Sequence, residues 1–213
     1  MFGAMGYLPQ LISLCPGLGQ KVAASGVPVA VMAGVLAEAA PGTLPLPGRD
    51  PRAAMNGIYS PAGTAALLAL AAEHALPLLF ATNDACSRLL RFEDAGALCA
   101  GLGLRPDSLL ARLAAAWYMP HLRGRCIPFD WVALVAMLLA AGGRLPRLLE
   151  TEERELWVGA GDPSILVLRD PASPGGAVEA ANLAGTRLWG RVSSVVRVDG
   201  AALRALAAAV AAM

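Results

Sequence analysis

In the first half of the chain, apolar residues recur at helical spacing in some stretches and form short unbroken runs in others. Leu8, Leu11, Ile12 and Leu14 recur at helical spacing, so residues 8–14 are expected to form a short helix ended by Cys15-Pro-Gly. Val27-Pro-Val-Ala-Val-Met32 has no polar interruption and is rich in β-branched residues, the pattern of a strand buried on both faces. Residues 36–56 hold Pro41, Gly42, Pro45, Pro47, Gly48 and Pro51, too many breakers for regular structure, and read as a binding loop or a disordered insert. Ser60-Pro-Ala-Gly then opens an alanine-rich helix that runs to His74, with Ser60 placed to cap it and Pro61 in its first turn. A second buried strand is expected at residues 76–81. Helices should follow from Arg105-Pro-Asp-Ser108 through Trp117, and again from Pro128.

Beyond Glu150 the pattern changes. Residues 152–158, 164–169 and 191–198 alternate or carry short apolar runs, and Asp-Pro, Pro-Gly-Gly and Leu-Ala-Gly separate them, which predicts strands and turns. Asp199-Gly leads into a last alanine-rich helix. Early alternation of helix and strand, followed by clustered strands, predicts an α/β fold: a mostly parallel sheet flanked by helices, with a late antiparallel addition. At 213 residues the chain suits one core, so residues 1–213 are read as a single domain.

Composition narrows the function classes. Apolar residues make up 56% and charged residues only 15%, so polar cover is scarce and some apolar surface is expected to meet a partner. The formal net charge is +1 and no basic run occurs, which argues against nucleic-acid binding. Apolar runs are broken by Glu73, His74 and Pro77, or by Gly142 and Gly143, before they reach spanning length, so no membrane partner and a soluble chain are expected. Cys15, Cys86, Cys99 and Cys126 match no metal-binding spacing and sit among apolar neighbours, which predicts buried free thiols in a reducing, intracellular compartment, the cytoplasm. The first twenty residues carry no basic residue and show no leader pattern. Neither GxSxG nor GxxxxGK[ST] occurs. His74 stands at a helix end and reads as a surface group.

One carboxylate stands apart. Asp130, after Pro128-Phe, introduces an otherwise apolar helix, and its plainest role is to cap that helix.

Four stretches, taken in order, resemble the later part of the inosine-uridine type nucleoside hydrolases: the glycine-containing opening with Val29-Ala-Val-Met-Ala-Gly34, then Ala54-Met-Asn-Gly-Ile-Tyr-Ser-Pro61, then Pro128-Phe-Asp130, and the strand-rich tail with Val195-Val-Arg-Val-Asp199. The resemblance implies a nucleoside-hydrolase-like fold that lacks the family's first strands, whose loss should leave an open sheet edge. It also implies bound calcium, with Asp130 as a metal- and substrate-binding aspartate and Asn56 as the ribose-binding asparagine. Ala54 stands where the family has a ribose-binding glutamate, and Phe129 where it has a histidine near the leaving base, which a phenyl ring cannot replace as a proton donor. The family's Asp-x-Asp-x-Gly-x-Asp-Asp cluster does not occur, and one carboxylate cannot satisfy an ion that takes about six to eight oxygen ligands. The expectation is therefore a non-catalytic binding or structural subunit, a homo- or hetero-oligomer able to take a nucleoside. The alternative is calcium-dependent N-glycosidic hydrolysis of ribonucleosides, if an N-terminal part is supplied elsewhere.

Overall fold

A computed structural model describes residues 5–15, 17–39, 49–82 and 149–199, together with positions 84, 105, 109 and 112. The helices expected after Pro128 and at the end of the chain lie outside the described residues, as do Asp130, Phe129, Cys86, Cys99 and Cys126, and of the helix expected after Arg105 only Leu109 and Arg112, both helical, are described.

Helices α1 (Tyr7–Leu14) and α2 (Leu18–Ser25) lead into strands β1 (Val29–Met32) and β2 (Val35–Leu36). A short helix α3 (Met55–Tyr59) and the longer α4 (Pro61–His74) precede β3 (Leu78–Ala81). The second half holds β4 (Leu149–Gly159), β5 (Leu166–Arg169), α5 (Ala177–Leu183) and β6 (Thr186–Val198). Helix α5 was not anticipated from sequence, because seven residues behind a Pro-Gly-Gly turn are too few to show a helical period. Ser60 does sit at the cap position of α4, but its side chain makes no capping bond, and its carbonyl instead accepts from the Thr64 N–H at 2.9 Å. Pro61 opens the helix as expected. Gly63 lets the start of α4 touch the start of α1: a Cβ there would lie 2.6 Å from the Gly6 nitrogen.

The six strands form one sheet in the order β1-β3-β6-β4-β5-β2. It is mixed, which corrects the mostly parallel sheet that the early alternation predicts. β1–β3, β3–β6 and β2–β5 pair in parallel, whereas β4 runs against both of its neighbours, β5 and β6. The reversal follows from chain length: only a few residues link β4 to β5, enough for an antiparallel return and too few for a crossover. The β4–β6 ladder is the longest, from Leu149 opposite Val198 to Gly159 opposite Thr186, with register shifts at Glu150/Thr151 and Leu156/Trp157.

The outermost strands β1 and β2 are separated in sequence by Ala33 and Gly34 alone. The sheet therefore curls until its two ends are joined by one extended stretch, and among the described residues β1 and β2 each pair on one side only, with β3 and with β5. Gly34 makes the turn possible. Its φ is +89°, and a Cβ there would lie 2.6 Å from Leu168 Cδ1.

Alternation along the strands sorts the core into two faces. Val29, Val31, Leu78, Phe80, Leu156, Val158, Leu166, Leu168 and Val192 pack with Leu67, Leu68 and Ala71 of α4 and with Leu8 and Val22 of the first helices. On the other face, Val35, Ile165 and Val167 meet Leu183 of α5. His74, at the end of α4, lies with its ring over Gly19 and is half-buried, which modifies the surface role expected for it. Cys15 is exposed, against the expectation of a buried thiol, because α1 buries none of its residues and ends at Cys15.

Two polar clasps hold α5 to the sheet. Asn182, buried, donates from Nδ2 to the carbonyls of Ala37 and Ala39 at 2.8 and 2.9 Å. Arg52 donates to the carbonyls of Asn182 and Ala184 at the end of α5, and Asp50 orients it through an ion pair of 2.7 Å. That guanidinium holds the Asp50 carboxyl below its ordinary value of 3.8. Glu179 accepts from the Ser173 hydroxyl at 2.6 Å and from Arg169 at 2.5 Å, and these bonds hold its carboxyl below the ordinary 4.5. A carboxyl with a lowered folded-state pKa stabilises the fold above its unfolded value, and that stabilisation is lost as pH falls through the folded value. Melting temperature is therefore expected to decline below about pH 4.5, with a shallower decline in Glu179→Gln. Identical pH slopes for the two proteins would show that Glu179 contributes nothing to it.

Candidate functional site

The directions of pairing bring the carboxyl ends of β1, β2 and β3 to one edge of the sheet. Open α/β sheets bind ligands outside such an edge, since the loops that leave it are free to diverge. Most of the buried polar side chains outside the α5 clasps collect here.

Asn56 lies in the first turn of α3, just beyond β1. Its Nδ2 donates to the Met32 carbonyl at 3.0 Å and lies 3.7 Å from Met32 Sδ, which fixes the end of the carboxamide that faces the strand. Ala54, directly before α3, is buried and donates its N–H to the Ser164 carbonyl at 3.1 Å, while Ala53 forms a bridge with Ile165. These bonds seat α3 against the β4–β5 turn. The sequence-predicted Asn56 is thus placed between the last residue of β1 and the β4–β5 turn. Asp130, the other residue implied by the resemblance, lies outside the described residues, so no distance joins the two.

A second group of polar residues has no counterpart among the sequence-predicted sites. Glu152 stands opposite Ser194 in the β4–β6 ladder, Arg154 stands opposite Val192, and Ser194 is also the partner of Phe80 in β3. Register therefore puts Glu152, Arg154 and Ser194 on the same face as Phe80, Val192 and Leu156, so the apolar face turns polar toward the carboxyl edge. Glu38, two residues beyond β2, completes the group. The Arg154 guanidinium donates to Glu38 Oε1 and to Glu152 Oε2, both at 2.9 Å. Beyond β3, Thr82 and Asp84 are buried, and Asp84 Oδ2 accepts from the Leu36 N–H at 2.9 Å.

Arg154 is only 6% exposed and Ser194 is fully buried. Among the described residues, Arg154 Nε and Ser194 Oγ nevertheless find no hydrogen-bond partner. Leaving a buried polar group unsatisfied costs about 1–3 kcal/mol, which makes two of them on one face a feature that calls for a partner.

Sequence reasoning missed this group because its members come from three distant segments and form no motif. One signal was present: Glu152, Arg154, Leu156 and Val158 occupy alternate positions of a predicted strand, which puts an arginine in line with core residues.

Chemically, the group is a single guanidinium between two carboxylates, with hydrogen-bonding capacity left over. Among the described residues, no group of three or more His, Cys, Asp and Glu side chains is arranged to hold a metal ion. Among them too, no helix is long and apolar enough to cross a membrane. No family model matches the chain, and neither a curated protein nor a solved structure matches it.

Proposed function

We propose that the chain is a nucleoside-hydrolase-like binding or structural subunit that takes a nucleoside beside Asn56, at the carboxyl end of β1, without cleaving it. The observation that carries this reading is the position of Asn56, held against the last residue of β1 by its 3.0 Å bond to Met32. An asparagine fixed at a strand end offers both a donor and an acceptor, the pair needed to read a sugar hydroxyl.

Two observations favour binding over cleavage. Ala54 puts a methyl group where the family resembled has a carboxylate. Arg154 sits between Glu38 and Glu152, so a divalent cation approaching those oxygens would meet a guanidinium. Calcium and Asp130 enter only through the resemblance and are no part of the proposed binding step.

The subunit half of the reading draws on α1. Tyr7, Leu11 and Leu14 recur along this helix and are 59%, 52% and 77% exposed, an apolar stripe of the kind that assembly covers.

Calorimetric titration with inosine and uridine, with and without calcium, tests the proposal. Saturable binding without release of free base is expected, and Asn56→Ala should weaken it about tenfold, the loss of roughly one good hydrogen bond. Calcium-dependent turnover, or no binding of either nucleoside, would overturn the reading. Light scattering on the same sample should give a mass above 21.8 kDa. A monomer at high concentration removes the subunit half.

A further inference from the structure

The unpartnered atoms at the carboxyl edge carry an inference that goes beyond Asn56 and rests on different residues. We propose that Arg154, Ser194, Glu38 and Glu152 form a subsite for an uncharged, hydroxyl-bearing group, such as one end of a polyol or sugar.

Charge and hydrogen-bonding capacity together select the ligand class. Among the described residues nothing accepts from the buried Arg154 Nε, and Ser194 Oγ, which can donate or accept, does neither. Glu38 and Glu152 each meet Arg154 through one oxygen, Oε1 and Oε2 respectively, so each carboxylate has a second oxygen with which to accept. A ligand group must therefore accept from a guanidinium and donate to a carboxylate within the same small space. A hydroxyl does both.

Charged groups do less well. An anion would be drawn to Arg154 but would face two carboxylates already closer to it. A cation would face the guanidinium. An apolar group would leave Nε and Oγ as they are, still buried and unsatisfied. Register makes Arg154 and Ser194 diagonal neighbours on one face of the β4–β6 ladder, and such positions lie about 7–8 Å apart, within reach of a single bridging group.

The competing occupant is ordered water, which has the same donors and acceptors. Titration of the whole chain with glycerol, D-ribose and D-glucose, followed by saturation-transfer NMR and thermal shift, separates the two. Inorganic phosphate and methylguanidinium serve as the charged probes. Saturable binding of at least one polyol is expected, with neither charged probe competing. Ser194→Ala should weaken that binding about tenfold while leaving the ligand-free melting temperature unchanged or raised, because it deletes an unsatisfied hydroxyl. Asn56→Ala should leave the Ser194-dependent part of the binding unchanged, so failure of nucleoside binding and failure of this subsite are read separately. No saturable polyol signal, preferential binding of phosphate or methylguanidinium, or a lowered ligand-free melting temperature in Ser194→Ala, the mark of a resident water, would each overturn the proposal.

Discussion

Gly34→Ala is expected to lower stability by about 3 kcal/mol or more, through two additive causes. A non-glycine residue held at φ +89° carries strain of about 1–3 kcal/mol. The added methyl would also sit 2.6 Å from Leu168 Cδ1 and 3.2 Å from the Leu166 carbonyl, and relieving such crowding in a packed core costs about 1–3 kcal/mol more. In a chain of this length, that corresponds to a fall in melting temperature of about 6–12 °C. Gly26→Ala is the control. Gly26 has φ +65° with nothing within 4 Å of the added methyl, so it isolates the backbone term. If Gly34→Ala melts no lower than Gly26→Ala, the close packing of β2 on β5 does not exist in solution. Gly34 matters because it lies in the stretch that joins the two ends of the sheet, where a strained residue weakens the pairing of β1 with β3 and of β2 with β5.

Arg154 should produce the second large effect. Removing the positive member leaves Glu38 and Glu152 near each other and uncompensated. Breaking a fully buried pair costs about 3–5 kcal/mol, but these carboxylates are 42% and 54% exposed and can turn toward water, so a smaller loss applies. Arg154→Met, which keeps most of the buried alkyl stem, is expected to cost about 2 kcal/mol. Arg154→Ala adds the loss of that stem and a cavity, and should cost about 4 kcal/mol. Combining Arg154→Met with Glu38→Gln and Glu152→Gln should recover stability to within about 1 kcal/mol of the parent, since the charges then leave together. Urea denaturation gives all four values. Equal losses in Arg154→Met and the triple variant would show that the arginine acts by packing and not by pairing the two acids.

The two substitutions probe different layers of the molecule. The first concerns how the backbone closes the sheet, and the second concerns how the polar end of one sheet face is held. Neither position announces itself as a motif, and that governs how far the amino-acid order could be read.

Local chemistry made most of the described elements legible. The unbroken Val-Ala-Val-Met run became β1, and Pro61 opened α4. The alternation of residues 152–158 became part of β4, and the β-branched tail became β6. Each of these depends on neighbours in the chain, since burial of a strand or the first turn of a helix is specified by residues a few positions apart. Asn56 was singled out only through the resemblance of its segment to a known family, and the fold puts it beside the last residue of β1. Pairing, by contrast, is a relation between distant segments. Nothing in residues 29–36 says that the first four pair with β3 and the last two with β5, or that β4 runs between two strands of opposite direction. The meeting of Glu38, Glu152, Arg154 and Ser194 is a product of that pairing, because residues separated by more than a hundred positions become neighbours only once the sheet has curled. Sequence by itself determined where most of the described strands and helices form, through local burial and turn chemistry. Tertiary structure alone decided which of them touch, because loop closure and packing select among the many registers that the same local signals permit.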